Sequence, residues 1–339
     1  MKNHITPFQL FFLTFSYLLS GFFLFSVRSW LALIAQFAAF SVFAVLAAPA
    51  FVCKREGLCD TVDAFAHGAF GKILTALLLI PAMFQTVRTL TGFSVSAGTV
   101  TNFLPSWLIL LVLLATAIYA VWRGMTAVGR FAELVPFLLV PLLCMCVFGK
   151  FSPAQATSDF DAWGALSCVS AAPVFFLAAK CVVPGDVGVS TAMNATAPAP
   201  KDRAAFLLRV MIGGAAAAVG FYVFFLLFDT GAHNVLLRLA AWMLHLIRLS
   251  VLIALVADVL SYVPAGARER AHMPLWRSVF AAVIAISCAA VLAVNEMGIT
   301  ARDMLMGIAI GLDFIVPVVI HAVPMLARYG KKEKHRREI

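Results

Sequence analysis

The sequence predicts an all-α, polytopic membrane protein with ten transmembrane helices. Three observations carry that prediction: too few charges for a water-facing surface, long unbroken apolar stretches, and a one-sided distribution of Lys and Arg among the loops. Of the 339 residues, 63% are apolar and 12% charged, where a soluble domain carries roughly 45–50% apolar and about 25% charged residues. A chain whose outside is lipid must satisfy its backbone N–H and C=O groups internally, which helices do within one segment. An outer-membrane barrel would alternate polar and apolar residues over strands of about ten residues. The stretches here instead run for about 20 residues, the length a helix needs to cross the hydrocarbon core.

The apolar stretches define spans 8–27, 30–52, 71–98, 106–122, 131–149, 164–183, 204–228, 235–263, 274–294 and 304–328. The first follows Lys2 as a signal peptide would, but no small-residue cleavage site succeeds Phe25, so it reads as a span. The polar stretch around Asp159 and Asp161 divides the chain into a first five-helix unit, 1–150, and a second, 151–330, followed by a basic tail, 331–339. Loop 53–70 places Val62, Phe65, Ala66 and Phe70 at helical spacing beside Asp60, Asp63 and His67, an amphipathic pattern suited to the membrane interface.

Lys and Arg are retained on the cytoplasmic side of a membrane. With the N-terminus inside, 18 of the 25 basic residues fall in inner loops and 4 in outer loops, while Arg88, Lys180 and Arg248 lie within spans. That split supports cytoplasmic termini and an even number of spans. It also makes the net charge of +9 a topology signal. The charges are parcelled among short loops instead of forming one face, which argues against nucleic acid and leaves the lipid bilayer as the partner. The seven cysteines are scattered among apolar residues without C-x-x-C spacing, so they read as small hydrophobes. No paired carboxylates, nucleophile with a base, Gly-rich phosphate loop or metal-ligand cluster is found. No enzyme activity and no cofactor are therefore assigned.

Candidate binding groups lie where polar residues interrupt the spans. In the first span, Ser16, Ser20 and Gly21 sit near mid-membrane depth. Glycine tolerates an unwound backbone that would offer N–H and C=O groups to a ligand, but small residues also serve as packing seams between helices. In the sixth span Ser170, Ala171, Ala172 and Pro173 form a second irregular patch. Proline removes a helix hydrogen bond and clashes with the preceding turn, so the helix is expected to bend or break there. The third span aligns Gln85, Thr89, Gly92 and Ser96 in one stripe with Arg88 at its edge. A mid-membrane cation needs a partner. For Arg88 that is a ligand carboxylate or a carbonyl of a neighbouring helix. For Arg248, in the eighth span one turn after His245, it is a bound carboxylate, a carbonyl, or Asp313 of the tenth span. Glycines 213, 214 and 220, and the pair Gly307 and Gly311, read as close-packing positions. Arg130 and Glu133 have ion-pair spacing.

Several segments taken in order resemble one family. They are Ile5-Thr-Pro-Phe-Gln-Leu-Phe-Phe-Leu13, Phe70-Gly-Lys-Ile-Leu74, the third span with Arg88 leading to Leu104-Pro105, and Gly124-Met-Thr-Ala-Val-Gly-Arg-Phe-Ala-Glu133-Leu-Val-Pro136. They resemble the spore germination permeases, the B subunits of germinant receptors, which belong to the amino acid–polyamine–organocation transporter superfamily. The likeness is strongest over residues 5–150. It implies a five-plus-five inverted repeat with helices 1 and 6 interrupted at mid-membrane, a small nutrient ligand such as an amino acid, and a bacterial cell membrane or spore inner membrane location. It also implies companion receptor subunits, a membrane-anchored A-type and a lipoprotein C-type. The chain departs from the pattern twice: the sixth helix lacks the family's glycine, and Ser250 stands where an acidic residue commonly follows the arginine. The two functions left in view are a nutrient-sensing receptor subunit and an amino-acid transporter, with a ligand-free membrane scaffold as a third.

Overall fold

The computed structural model describes residues 4–24, 27–52, 69–98, 106–147, 150–151, 169–181, 200–229, 235–270 and 307–319. These form helices α1 (Pro7–Leu24), α2 (Trp30–Val52), α3 (Ala69–Leu77), α4 (Leu79–Gly98), α5 (Ser106–Arg123), α6 (Met125–Val147), α7 (Ala171–Lys180), α8 (Pro200–Leu227), α9 (Val235–Arg270) and α10 (Gly307–Val319). Two-residue strands β1 (Lys150–Phe151) and β2 (Phe228–Asp229) pair antiparallel and tie the ends of α6 and α8 together. The all-α membrane class is thus observed. The expected span 274–294, the tail 331–339 and most of loop 53–70 lie outside the described residues.

Local chemistry sets the helix ends. Thr6 Oγ1 accepts from the Gln9 N–H at 3.2 Å and Gln9 Oε1 accepts from the Thr6 N–H at 3.2 Å, a capping box with Pro7 at the first helical position, where its missing N–H is harmless. Gly124, at φ 97, makes the turn between α5 and α6. Its N–H donates to the Val121 carbonyl, and its own carbonyl accepts from Ala127 at 2.9 Å. A side chain is disfavoured at that φ.

The two stretches that carry the family resemblance at opposite ends of the first unit pack against each other. The Thr126 hydroxyl donates to the His4 carbonyl at 2.7 Å. Gly129 faces Gln9 so closely that an added Cβ would lie 2.9 Å from the Gln9 side chain.

Helices α1 and α9 are the innermost. Thirteen of the 18 residues of α1 are buried, on every face, so it is enclosed by protein and not lipid. It packs on α6, α8 and α9, while α9 in turn packs on α4, α5 and α6. The outer helices carry large exposed apolar groups, among them Ile34, Val42, Leu111, Tyr119 and Phe137, as a lipid-facing surface requires.

Four expectations change. The third span is two helices, because Pro81, the third residue of α4, would clash with the Leu77 carbonyl four residues earlier. The chain turns at Leu78, whose N–H reaches back to the Thr75 carbonyl at 3.1 Å. The first helix, by contrast, is continuous through Ser20 and Gly21 to Leu24; glycine permits an interruption but does not impose one. The glycine positions also divide. Gly214 touches α1, and a Cβ there would meet the Phe11 carbonyl oxygen at 2.7 Å, whereas Gly220 and Gly311 face open space within 4 Å. Arg130 and Glu133 form no ion pair; Arg130 is exposed, where holding two side chains together gains little.

Gly214→Ala is therefore expected to destabilise the protein by about 1–3 kcal/mol through overpacking against immovable backbone. Gly220→Ala should be neutral or slightly stabilising. Thermal unfolding of the two variants in detergent checks the contrast.

Candidate functional site

The start of α7 lies inside the bundle. Ser170 precedes it in an extended conformation (φ −116, ψ 127), and its side chain makes no cap bond to the helix. Pro173 is the third residue of α7, the same position that Pro81 holds in α4. It removes no intrahelical bond there, but it bars the Val169 carbonyl from a helical turn. The helix thus starts two residues before Pro173, with Val169 and Ser170 non-helical ahead of it; the first part of the expected sixth span, 164–168, lies outside the described residues.

A helix that begins away from water needs partners for its first N–H groups. Asp313 of α10, 2% exposed, supplies them. Its Oδ1 accepts from the Ala172 N–H at 3.2 Å, and its carboxyl also accepts from the Ala171 N–H and the Ser170 hydroxyl. A negative group at a helix N-terminus is further favoured by the helix dipole. Ala171 and Ala172 have side chains small enough to let the carboxylate reach the main chain.

Arg248 of α9 is fully buried. Its Nη1 donates to the Tyr17 carbonyl of α1 at 3.0 Å, its Nη2 donates to Gln85 Oε1 of α4 at 3.1 Å, and the guanidinium lies 4.4 Å from the centroid of the Tyr17 ring. The carbonyl keeps a second lone pair for the helix, so a main-chain acceptor is available without unwinding α1. Of the partners considered from the sequence for Arg248, the carbonyl is the one used. Ser250 is not a substitute anion: its hydroxyl donates to the Leu246 carbonyl in its own helix at 2.8 Å.

One turn along both antiparallel helices, Ser20 Oγ lies 2.8 Å from His245 Nδ1. The Phe93 ring of α4 stands edge-on to the imidazole at 6.2 Å and packs on Trp242 at 5.4 Å. Among the described residues no carboxylate bonds this imidazole, so the Ser–His pair lacks the orienting third group of a nucleophilic triad. It ties α1 to α9. Trp242 Nε1 and Ser16 Oγ are buried and have no hydrogen-bond partner among the described residues.

At the other end of α7, Lys180 Nζ pairs with Asp258 Oδ1 of α9 at 3.3 Å and lies 5.6 Å from the centre of the Phe176 ring. The fold brings together two charges of different spans, the sixth and the eighth. The Ile5 N–H also donates to the Lys180 carbonyl at 3.1 Å, and Ile5 bridges Cys181 in parallel. Helices α1, α7 and α9 are thereby closed at this end.

Of the residues singled out from sequence, Gln85 and Arg248 meet directly, as do Ser170, Ala171 and Asp313. Ser20 joins His245. Thr89 instead donates to the Gln85 carbonyl within α4 at 2.7 Å, which leaves Gln85 Oε1 to Arg248. Arg88 is only half-buried. Tyr17 and the Lys180–Asp258 pair were missed. An i, i+3 pattern pointed at His245 beside Arg248, but nothing local marks a carbonyl such as that of Tyr17.

No protein-family model and no curated protein matches the chain. Solved structures do. Mhp1, a nucleobase-cation-symport-1 family transporter, in a closed conformation with bromovinylhydantoin bound, superposes with a TM-score of 0.61 at 13% identity, covering 93% of this chain and 78% of the transporter. The inward-facing conformation of Mhp1 gives a TM-score of 0.52 at 14% identity, with 93% and 77% covered. A mutant of the Eremococcus coleocola manganese transporter gives 0.52 at 13% identity, with 94% and 78% covered. The fold is that of these membrane transporters. At such identities the likeness concerns fold alone.

Two outcomes follow from the geometry. Arg248→Lys should not restore what Arg248→Ala loses, because one ammonium cannot reproduce the fork that spans Tyr17 and Gln85. Each is expected to lower stability by about 3 kcal/mol, the scale of two charge-assisted hydrogen bonds, read by thermal unfolding. In a variant whose only cysteine is Cys181, Lys180→Met should raise the rate of maleimide labelling about fivefold, as expected for loss of a pair contributing about 1 kcal/mol. An unchanged rate would show that the pair does not hold this end shut.

Proposed function

We propose that the chain is a secondary transporter that binds a small polar nutrient of the amino-acid class between α1, α4, α7 and α9 and moves it by alternating access. The observation that carries this reading is the start of α7 inside the bundle, next to buried ionic groups, in a chain whose fold matches transporters over nearly its whole length. Transporter folds place substrate sites at such discontinuous helices. Ser16 Oγ and Trp242 Nε1 support it as buried groups that a polar ligand would satisfy. On the orientation expected from the Lys and Arg distribution, the Lys180–Asp258 end faces the cytoplasm and the pair would close the site from that side.

A second reading, the B-type subunit of a spore germinant receptor, is favoured by one observation. The two stretches that resemble that family, near residues 5–13 and 124–136, form a single contact through Thr126, His4, Gly129 and Gln9. In that role the ligand shifts the core helices between two arrangements, and companion A-type and C-type subunits read the change.

Proteoliposomes containing the lone chain separate the readings. Substrate-dependent uptake of labelled amino acids, their amides or amines supports a transporter. Absence of uptake, together with loss of the protein when a co-encoded partner is deleted, supports the receptor.

A further inference from the structure

We propose that Asp313 occupies the anion seat at the start of α7, so that the ligand presents an amine or amide, and no free carboxylate, to this part of the bundle. The inference rests on the reading that a small polar molecule binds beside α7, and it names the chemical class that site accepts.

A helix start attracts anions through the N–H groups it leaves unbonded, here those of the cap residue and the first three helical residues. At α7 these positions are Ser170, Ala171, Ala172 and Pro173. Proline has no N–H. The amides of Ala171 and Ala172 are held by the Asp313 carboxyl, and the Ser170 hydroxyl donates to the same group. Any carboxylate seeking the remaining Ser170 amide would come against Asp313, a like charge in a poorly screened interior. The nearby cation is partly engaged, since Arg248 Nη1 and Nη2 are held by the Tyr17 carbonyl and Gln85 Oε1. A ligand amine meets the opposite situation. It is drawn to the Asp313 carboxylate, and a neutral amide can donate to the same oxygens without adding a charge. Ser16 Oγ of α1 and Trp242 Nε1 of α9 are further buried polar atoms without a hydrogen-bond partner among the described residues. The carboxylate that an amino acid would bring to a broken helix is, in this chain, already part of the protein.

The test uses the purified full-length protein in detergent and a panel of free amino acids, their amides and the corresponding decarboxylated amines, with thermal stabilisation as readout. At least one amide or amine should act at a concentration about tenfold lower than its parent amino acid, a share of the repulsion between two close carboxylates. Asp313→Asn, which keeps an acceptor for the α7 amides, should erase or reverse that order. Free amino acids acting as strongly as their amides on the unmodified protein overturn the inference alone, whatever the variant does. A folded Asp313→Asn protein that keeps the original order also overturns it. No stabilisation by any compound overturns the underlying binding reading, and the inference with it.

Discussion

A helix that begins in the middle of a membrane bundle leaves N–H groups with no water to bond, and the protein must supply the acceptor. Here it comes from α10, through the Asp313 carboxyl on Ala171, Ala172 and Ser170. The arrangement follows from Pro173, which bars the helix from continuing upstream and also removes one of the donors to be satisfied. Two energetic demands meet in one contact. The start of α7 needs an anion, and an Asp at mid-bundle needs donors, so each makes the burial of the other tolerable. The contact also fixes the distance between α7 and α10, elements 141 residues apart in the chain.

Arg248 answers the same demand with opposite sign. A buried guanidinium is normally matched to a carboxylate, yet this one is held by a carbonyl of α1, an amide oxygen of α4 and the face of the Tyr17 ring. Dipoles and a π-face hold it directly, with the buried Asp313 carboxylate acting on it electrostatically. The consequence is a rigid register: Tyr17 against Arg248 and Ser20 against His245 lock α1 to α9 one turn apart. The Lys180–Asp258 pair and the Ile5–Lys180 hydrogen bond then close the same three-helix group, α1, α7 and α9, at its far end.

The two proline-defined breaks show how little local sequence separates different outcomes. Pro81 and Pro173 each occupy the third position of a helix and each forbids the turn before it. At Leu78 the interruption is a single residue, bonded back to Thr75. At Ser170 the backbone is extended and the gap is filled from another helix. Gly21 illustrates the converse: a residue able to break a helix sits inside an unbroken one, because α1 is enclosed on all sides and Arg248 reaches the Tyr17 carbonyl without any unwinding.

Much of this architecture was legible in the residues. The membrane class follows from composition, because lipid imposes the same demand on every surface position. The spans follow from apolar length, and the interruption at Pro173 from proline, whose effect is confined to the four residues before it; the same effect at Pro81 was hidden inside an apolar stretch read as one span. The capping box Thr6–Gln9 closes over three residues, yet it emerged only from the structure. Partner choice was not. Whether Arg248 meets a carbonyl or Asp313, whether Gly214 or Gly220 touches a neighbour, and whether Lys180 and Asp258 reach water or each other depend on helix rotation and axial offset. Those are set by the summed packing of many side chains. Sequence alone determined that charges would be buried and helices interrupted; only the tertiary structure decided which groups neutralise them, because a hydrogen bond between helices depends on ångström-scale register that no local pattern encodes.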